Sequence, residues 1–293
     1  ARRLAARADV LIENFRPGTM ERWGLGPEQL CAENPGLIFA RISGFGQTGP
    51  YAARPGYASV CEAFGGLRHL TGEPGEVPVR ANLSLGDSLA GLHAVIGILL
   101  ALESRRRSGR GQVVDAAIFE SVFNVLESVV PEFDRAGAVR GPSGRTVSGI
   151  VPSNAYPTAD GEWVVVGANN SANFRRLMQA IGRADLAADP ELELNPGRVR
   201  RQAELDEAIT LWTQSQPAAV VVERLVAAAV PASTIYTVAD MFADPHYQAR
   251  GLFESVEAAG RALVLPAMLP RLAESPGATD WAGPELGAHN VEV

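Results

Sequence analysis

The sequence contains no lysine, because all 26 basic residues of the 293-residue chain are arginine. A phosphate-binding P-loop requires its lysine, and Schiff-base catalysis, including that of pyridoxal phosphate enzymes, requires a lysine amine. Residues of this chain therefore supply neither chemistry. The strongly basic group that remains is the permanently charged guanidinium, which suits the binding of phosphates and carboxylates.

Cysteine and histidine are also scarce, with two and four residues respectively. Cys31 and Cys61 form no C-x-x-C pair, which excludes a disulfide framework and a cysteine zinc site. The histidines are scattered along the chain at His69, His93, His246 and His289. They lack the spacing of metal ligands. We expect no metal, and the low cysteine content favours a reducing, cytoplasmic location.

Long apolar runs and excess positive charge are absent too. The longest apolar candidate, residues 89–102, is interrupted by His93 and Gly97, so no run reaches the roughly 18 residues that span a bilayer. A net charge of −7 and a pI of about 5.3 provide no electrostatic footprint for nucleic acid. We therefore expect neither a membrane nor a nucleic acid as a partner.

Short apolar segments alternate with helical ones in the first part of the chain. Residues 8–12, 37–42 and 113–118 are typical of buried strands, and residues 19–25, 27–32, 57–65 and 119–130 of helices. This alternation predicts an α/β fold with a parallel sheet. Ligands of such sheets bind beyond the carboxyl ends of the strands, where Asn14 and Ser43 fall.

The composition changes over residues 136–153, which are rich in Gly, Ser, Pro and Arg and are typical of a linker or a binding loop. Residues 156–167 then predict a β-hairpin with a turn at Asp160 and Gly161. The predicted domains are a large α/β domain over 1–135, a linker or lid loop over 136–153, a smaller α+β domain over 154–250, and a return to the large domain over 251–293.

Asp87 is the most informative residue. Residues 81–85 read as a strand or an extended approach, and a long amphipathic segment runs from Ser88 to about Arg105. A carboxylate between a strand end and a helix start is held rigidly near backbone N–H donors, which suits an ionised nucleophile. Asp is also a preferred N-cap residue, so capping alone is the alternative.

The helical spacing of the apolar residues after Asp87 predicts one broad buried face. These residues are Leu89, Leu92, Val95, Ile96, Leu99, Leu100 and Leu102. Asp115 is a rival nucleophile, but its position inside a strand pattern favours a buried ion pair. His93 lies on the same helix as Asp87 and serves either as a structural hydrogen-bonding group or as a base.

Two loops and two arginines complete the candidates. Arg16 and Arg22 flank the turn after the first strand, where they form either a phosphate clamp or a solvated surface pair. The glycine-rich loop 44–50 lacks the full G-x-G-x-x-G spacing, so it predicts no dinucleotide site. Residues 149–154 form either a mobile lid over a site or a plain interdomain linker.

Several segments resemble the class III (family III) CoA-transferases of the CaiB/BaiF type, which include formyl-CoA transferase, the carnitine-pathway CoA-transferase and the alpha-methylacyl-CoA racemases. The segments are 9–19 (DVLIENFRPGT), 42–51 (ISGFGQTGPY), 85–93 (LGDSLAGLH), 108–115 (SGRGQVVD) and 286–290 (LGAHN). The resemblance implies a Rossmann-like α/β domain whose N-terminal portion is missing here, a smaller α+β domain, and a homodimer interlocked like links of a chain.

The resemblance also implies roles for particular residues. Asp87 falls on the catalytic aspartate, and Arg16 and Arg22 on arginines that contact the phosphates of CoA. Gly44, Gly46, Tyr57 and Gly149 fall in segments that bind CoA or cover it. Tyr57 stands where the racemases carry a histidine base, so the racemase interpretation loses half of its acid–base pair. The lid at 149–154 lacks the run of glycines of formyl-CoA transferase, which argues against formyl or oxalate specificity.

The function implied by the resemblance is transfer of CoA from an acyl-CoA, for example succinyl-CoA, to a carboxylic acid. An aspartyl anhydride and an enzyme–CoA thioester are the implied intermediates, with CoA thioesters as substrates and no permanently bound cofactor. Backbone N–H groups near 86–89 are expected to stabilise the oxyanions. The alternatives are an acyl-CoA racemase or epimerase and a truncated, inactive CoA-binding remnant.

Overall fold

The computed structural model describes residues 1–292, which fold into two compact units, one over Ala1–Asn154 and one from Ala155 onward. The fold is mixed α/β, with a parallel sheet in the first unit and antiparallel sheets in the second. This confirms the predicted fold class. The finer division, with a linker and a returning C-terminal segment, stays a prediction.

The sheet of the first unit contains β1 (Val10–Glu13), β2 (Ile38–Ser43) and β3 (Val113–Ala117) in that order. All neighbours are parallel, with Val10 opposite Ile38 and Phe39 opposite Val113. The carboxyl ends of the strands therefore lie at one edge of the sheet, as predicted from the alternation of strands and helices.

Helices connect and cover these strands. They are α1 (Arg2–Ala5), α2 (Thr19–Arg22), α3 (Pro27–Glu33), α4 (Ala58–Phe64), α5 (Leu85–Ser108), α6 (Ile118–Asn124) and α7 (Val129–Ala136), with a 3₁₀ helix over Leu67–Leu70. The single helix predicted over 119–130 is wrong: α6 ends at Asn124 and α7 begins at Val129. Between them Glu127 has a φ of 52°, a left-handed conformation that interrupts a right-handed helix.

Helix α5 begins at Leu85 and residues 81–84 are irregular, so of the two alternatives predicted for 81–85 the strand is wrong. Asp87 is consequently the third residue of the helix and not its N-cap. The helix ends at Ser108 and is capped by Gly109, whose φ of 71° is readily adopted by glycine and whose N–H donates to the carbonyl of Arg105 at 2.7 Å.

The rest of this chain does not cover most of the large apolar residues of α5, so the predicted buried face is wrong for them. The residues that α5 buries are small: Gly86, Ala90, Ala94 and Ala101. Five of the large ones are more than half exposed: Leu92, Val95, Ile96, Leu99 and Leu100. Leu89 and Leu102 are partly buried. Among residues 1–292, α5 is also the one helix long and apolar enough to cross a membrane by length and composition, a test that core helices of water-soluble proteins pass as well.

The second unit contains a sheet of β4 (Ser153–Pro157), β5 (Trp163–Gly167) and β6 (Ala232–Thr234), in that order, and an antiparallel pair of β7 (Phe253–Ala258) and β8 (Arg261–Pro266). The hairpin predicted over 156–167 is confirmed, with Gly161 at φ 82° in its turn. Its helices are α8 (Ser171–Ala180), α9 (Ala184–Ala187), α10 (Asn195–Arg200), α11 (Gln202–Thr213), α12 (Ala218–Ala227), α13 (Val238–Ala243) and α14 (Pro245–Ala249), with a 3₁₀ helix over Pro190–Leu192.

Candidate active site

A cavity of about 430 Å³ lies at the carboxyl ends of β1 and β2. Asn14 and Arg16 line it from the turn after β1, and Gly44 lines it from the loop after β2. The first turns of α5 supply Asp87. The cavity therefore lies where ligands of parallel sheets bind, and three segments far apart in sequence meet there.

Four of the predicted site residues share this cavity: Arg16, Gly44, Tyr57 and Asp87. Tyr57 is 80% exposed and lines the cavity. The other three are not among the residues that line it: Arg22, Gly46 and Gly149. Arg22 donates to the hydroxyl of Thr19 at 2.9 Å, and Gly149 has a φ of 76° beside the Val147–Ile150 bridge.

The Asp87 side chain is exposed at the cavity, so its carboxylate is accessible to a substrate. Two of the backbone N–H groups expected to stabilise oxyanions are already engaged. Gly86 donates to the Glu62 carboxylate at 3.0 Å, and Ser88 donates to the Ser84 carbonyl at 3.1 Å. The expectation is therefore wrong for these two groups.

Close backbone packing holds the loop after β2 against the start of α4. A Cβ atom on Gly44 would lie 2.8 Å from the Gly56 Cα, so glycine at position 44 permits this approach. The thiol of Cys61 donates to the Gly44 carbonyl at 3.3 Å. Burial, reinforced by the negative charges of Asp87 and Glu62, raises the pKa of Cys61 to about 11. The thiol stays protonated near neutral pH and supports the loop instead of acting as a nucleophile.

A buried ion pair fixes the turn that carries Asn14 and Arg16. Arg41 on β2 donates to Glu13 at 2.7 Å and to Glu21 on α2 at 2.7 Å, and both Arg41 and Glu13 are buried. The second oxygen of Glu13 accepts the N–H of Phe15 at 2.7 Å. Glu13 thus links the strand core to the cavity wall.

Asp115 has a different role from the one predicted. Its side chain is exposed, and its Oδ2 accepts the N–H of Gln47 at 2.9 Å. The expectation of a buried ion pair is wrong, because β3 ends beside the glycine-rich loop and the carboxylate reaches the loop backbone. Gly46, at φ 84°, forms the turn that presents this N–H. Asp115 therefore anchors the loop whose first residue, Gly44, lines the cavity.

His93 serves as a structural hydrogen-bonding group. Its Nδ1 lies 2.9 Å from the Leu89 carbonyl, and its Nε2 lies 3.2 Å from the Asn124 side-chain amide. The Leu89 carbonyl and the Asn124 Oδ1 atom are both acceptors, so the proton on Nδ1 is donated to the carbonyl. Among the described residues that line the Asp87 cavity there is no histidine.

Arg54 is a cavity residue that the sequence analysis missed. It lies between β2 and α4 and lines the cavity, with its guanidinium carbon 3.5 Å from the centre of the Tyr51 ring. Stacking on an aromatic ring orients the guanidinium while leaving its N–H donors available. The signal in the sequence was an arginine ten residues after Gly44, between the glycine-rich loop and Tyr57. Among residues 1–292, no group of three or more His, Cys, Asp or Glu side chains is placed to hold a metal ion.

Comparison with known proteins finds relatives that match almost the whole chain. The chain is 46% identical over 293 residues to the succinyl-CoA–D-citramalate CoA-transferase of Chloroflexus aurantiacus, which covers 100% of this chain and 73% of that protein. It is 42% identical over 294 residues to the alpha subunit of the succinyl-CoA–L-malate CoA-transferase of Chloroflexus aurantiacus, covering 99% of this chain and 68% of that subunit.

Solved structures share the fold. The crystal structure of a CaiB/BaiF family protein from Brucella suis matches with a TM-score of 0.84 and 34% sequence identity, covering 99% of this chain and 76% of that one. The model of CoA-transferase family III matches residues 1–290. The chain therefore belongs to CoA-transferase family III and is a CoA-transferase.

Proposed function

We propose that this chain transfers CoA from succinyl-CoA to a dicarboxylic acid, with Asp87 as the covalent nucleophile. The observation that carries the proposal is the Asp87 carboxylate in the cavity at the strand ends, with Arg16 and Arg54 on the walls. The names of the two relatives support succinyl-CoA as the donor, since both are succinyl-CoA transferases. They also support a dicarboxylic acceptor, since citramalate and malate are both dicarboxylic acids.

The chemistry balances without a further reactant. The Asp87 carboxylate attacks the thioester carbonyl, giving a mixed anhydride and CoA thiolate. The thiolate attacks the aspartyl carbonyl, releasing the donor acid and leaving an enzyme–CoA thioester. The acceptor carboxylate attacks this thioester, forming a second anhydride and freeing the thiolate again. Attack of the thiolate on the acceptor carbonyl gives the new acyl-CoA and regenerates Asp87.

The charges of the cavity suit these substrates. Succinyl-CoA carries a free carboxylate and the phosphates of CoA, and a dicarboxylic acceptor keeps one carboxylate while the other reacts. Arg16 donates to the Ala53 carbonyl at 3.2 Å, which fixes its guanidinium, while Arg54 is held by Tyr51. Guanidinium groups bind both kinds of anion through paired hydrogen bonds. The cavity thus supplies two positively charged groups beside a nucleophile that is itself negative.

Covalent trapping tests the proposal directly. Because the chain has no lysine, trypsin cleaves it at arginine, and one expected peptide spans residues 81–105 with Asp87 and Glu103 as its only acidic side chains. Incubation with succinyl-CoA followed by hydroxylamine is expected to convert Asp87 to a hydroxamate, because hydroxylamine attacks activated aspartyl carbonyls. Mass spectrometry of this peptide locates the modification.

The trapping experiment contains its own control. Omission of succinyl-CoA removes the activated intermediate, so the peptide is expected to stay unmodified. Modification of Glu103 instead of Asp87, or no modification while the enzyme turns over, would contradict the assignment of the nucleophile.

We also propose that a second copy of this chain covers the exposed apolar residues of α5, as the resemblance to interlocked dimers implies. Contiguous exposed apolar surface of this kind marks interaction sites. The substitution Leu99→Glu places a carboxylate in that surface, where burial without a partner costs several kcal/mol. The dissociation constant of the dimer is expected to rise at least about 100-fold, measured by light scattering during gel filtration.

Leu211→Glu is the matched control for this prediction. Leu211 on α11 is also a leucine with about two thirds of its surface exposed, but it lies outside the apolar residues of α5. This variant is expected to remain dimeric. A wild-type chain that is monomeric at micromolar concentration, or equal dissociation of the two variants, would refute the role of α5.

A further inference from the structure

Glu62 on α4 is a buried carboxylate that the proposed chemistry does not use. Only 2% of its surface is exposed, yet the acid lies beside the first turn of the helix that carries Asp87. Burial of a carboxylate is costly, because desolvation penalises the charged form unless hydrogen bonds and opposite charges compensate. Its partners therefore indicate what it does.

The two oxygens of Glu62 have separate partners. Oε1 accepts the N–H of Gly86 at 3.0 Å, one residue before Asp87. Oε2 lies 3.5 Å from Nε of Arg80 and 3.8 Å from Nε of Arg68. The carboxylate thus binds the positive end of the α5 dipole on one side and two guanidinium groups on the other.

Arg80 extends this contact to the segment that leads into the helix. Its guanidinium donates to the carbonyl of Leu83 at 3.1 Å. Glu62 is therefore connected to the backbone of α5 directly through Gly86, and to the preceding residues through Arg80. No side-chain cap hydrogen bond from Ser84 is present at this helix start. Glu62 of α4 instead supplies an acceptor for a backbone N–H of the first turn, that of Gly86.

The packing around Gly86 makes this arrangement rigid. A Cβ atom on Gly86 would lie 3.1 Å from Cγ2 of Ile118 and 3.3 Å from Cγ of Glu62. The first turn of α5 consequently rests directly on the Glu62 side chain, and a shift of that side chain moves the backbone that carries Asp87. Misplacement of a reacting group by about 1 Å can cost about 100-fold in rate.

From these contacts we infer that Glu62 is a positioning residue that fixes the first turn of α5 and thereby aims the Asp87 carboxylate into the cavity. This inference rests on the proposed function of Asp87. Glu62 itself does not touch the substrate, since it is not among the residues that line the cavity. It acts through the backbone N–H of Gly86.

Two substitutions separate positioning from simple destabilisation. Glu62→Gln keeps a carbonyl oxygen for the Gly86 N–H, whereas Glu62→Ala removes the acceptor. We expect Glu62→Ala to lower kcat by about 10–100-fold, with the KM for succinyl-CoA within about twofold of wild type. Glu62→Gln is expected to recover most of kcat. Glu33→Gln, which alters an ion pair with Arg2 on the surface of the same unit, is the control expected to match wild type.

The hydroxylamine experiment provides the second readout. In a single turnover with succinyl-CoA, modification of Asp87 is expected to be about 10–100-fold slower in Glu62→Ala than in wild type, measured below the melting temperature of each variant. Wild-type kcat in Glu62→Ala would overturn the inference, as would equal losses in the Ala and Gln variants. Failure of the wild-type enzyme itself to modify Asp87 would instead refute the proposed function.

Discussion

Replacement of Asp87 by Asn is expected to abolish CoA transfer, lowering kcat by about 10⁴-fold or more. The carboxamide cannot form the anhydride, so neither the first acyl transfer nor the enzyme–CoA thioester is accessible. Binding is expected to persist, because Arg16 and Arg54 remain in the cavity. Initial rates with succinyl-CoA and either citramalate or malate, with acyl-CoA products identified by mass spectrometry, measure the loss.

Three further variants make this result specific. Asp87→Ala excludes recovery of activity by deamidation of the introduced amide. Asp115→Asn tests the rival nucleophile and is expected to keep most of the rate, since an amide oxygen can still accept the Gln47 N–H. Asp134→Asn alters an exposed acid on α7 and is expected to match wild type. Transfer by Asp87→Asn within tenfold of wild type would refute the nucleophile.

The sequence alone predicted a ligand-binding position beyond the carboxyl ends of the strands, and the structure has a cavity there. Parallel strands end at one edge of a sheet, so the turn after β1 and the loop after β2 had to be neighbours. The structure places Asp87, in the first turn of α5, at the same edge. The resemblance added the roles of Arg16 and Tyr57, and the cavity contains both residues.

What the sequence could not predict depends on contacts between distant residues. Glu62 and Arg80 are 18 positions apart and meet only when α4 packs against α5. Asp115 sits in a strand pattern that favours burial, yet the end of β3 leaves its carboxylate beside a loop backbone. The leucines of α5 follow helical spacing correctly, but periodicity does not reveal whether the same chain or another one covers a face.

Removal of the Arg41 side chain is expected to cause the largest loss of stability. Arg41→Ala leaves the Glu13 carboxylate buried beside β2 without its cation, and breaking a buried pair in this way costs about 3–5 kcal/mol. Urea unfolding followed by circular dichroism measures the loss. The turn after β1 is also expected to loosen, because Glu13 binds the Phe15 N–H. Faster hydrogen exchange in residues 13–17 and a higher KM for succinyl-CoA would report this change.

The pH dependence and a control distinguish this effect from a general loss of charge. The hydrogen bond from Arg41 lowers the pKa of Glu21. The contribution of this ion pair to stability is therefore present above the ordinary glutamate pKa of about 4.3, and it disappears as the pH falls through the lowered pKa. The difference in the free energy of unfolding between wild type and Arg41→Ala should therefore become smaller at acid pH. Arg183→Ala removes an equally short but exposed pair with Asp185, and its unfolding curve should superimpose on that of wild type. Equal destabilisation by the two substitutions would show that burial of Arg41 contributes nothing to its effect.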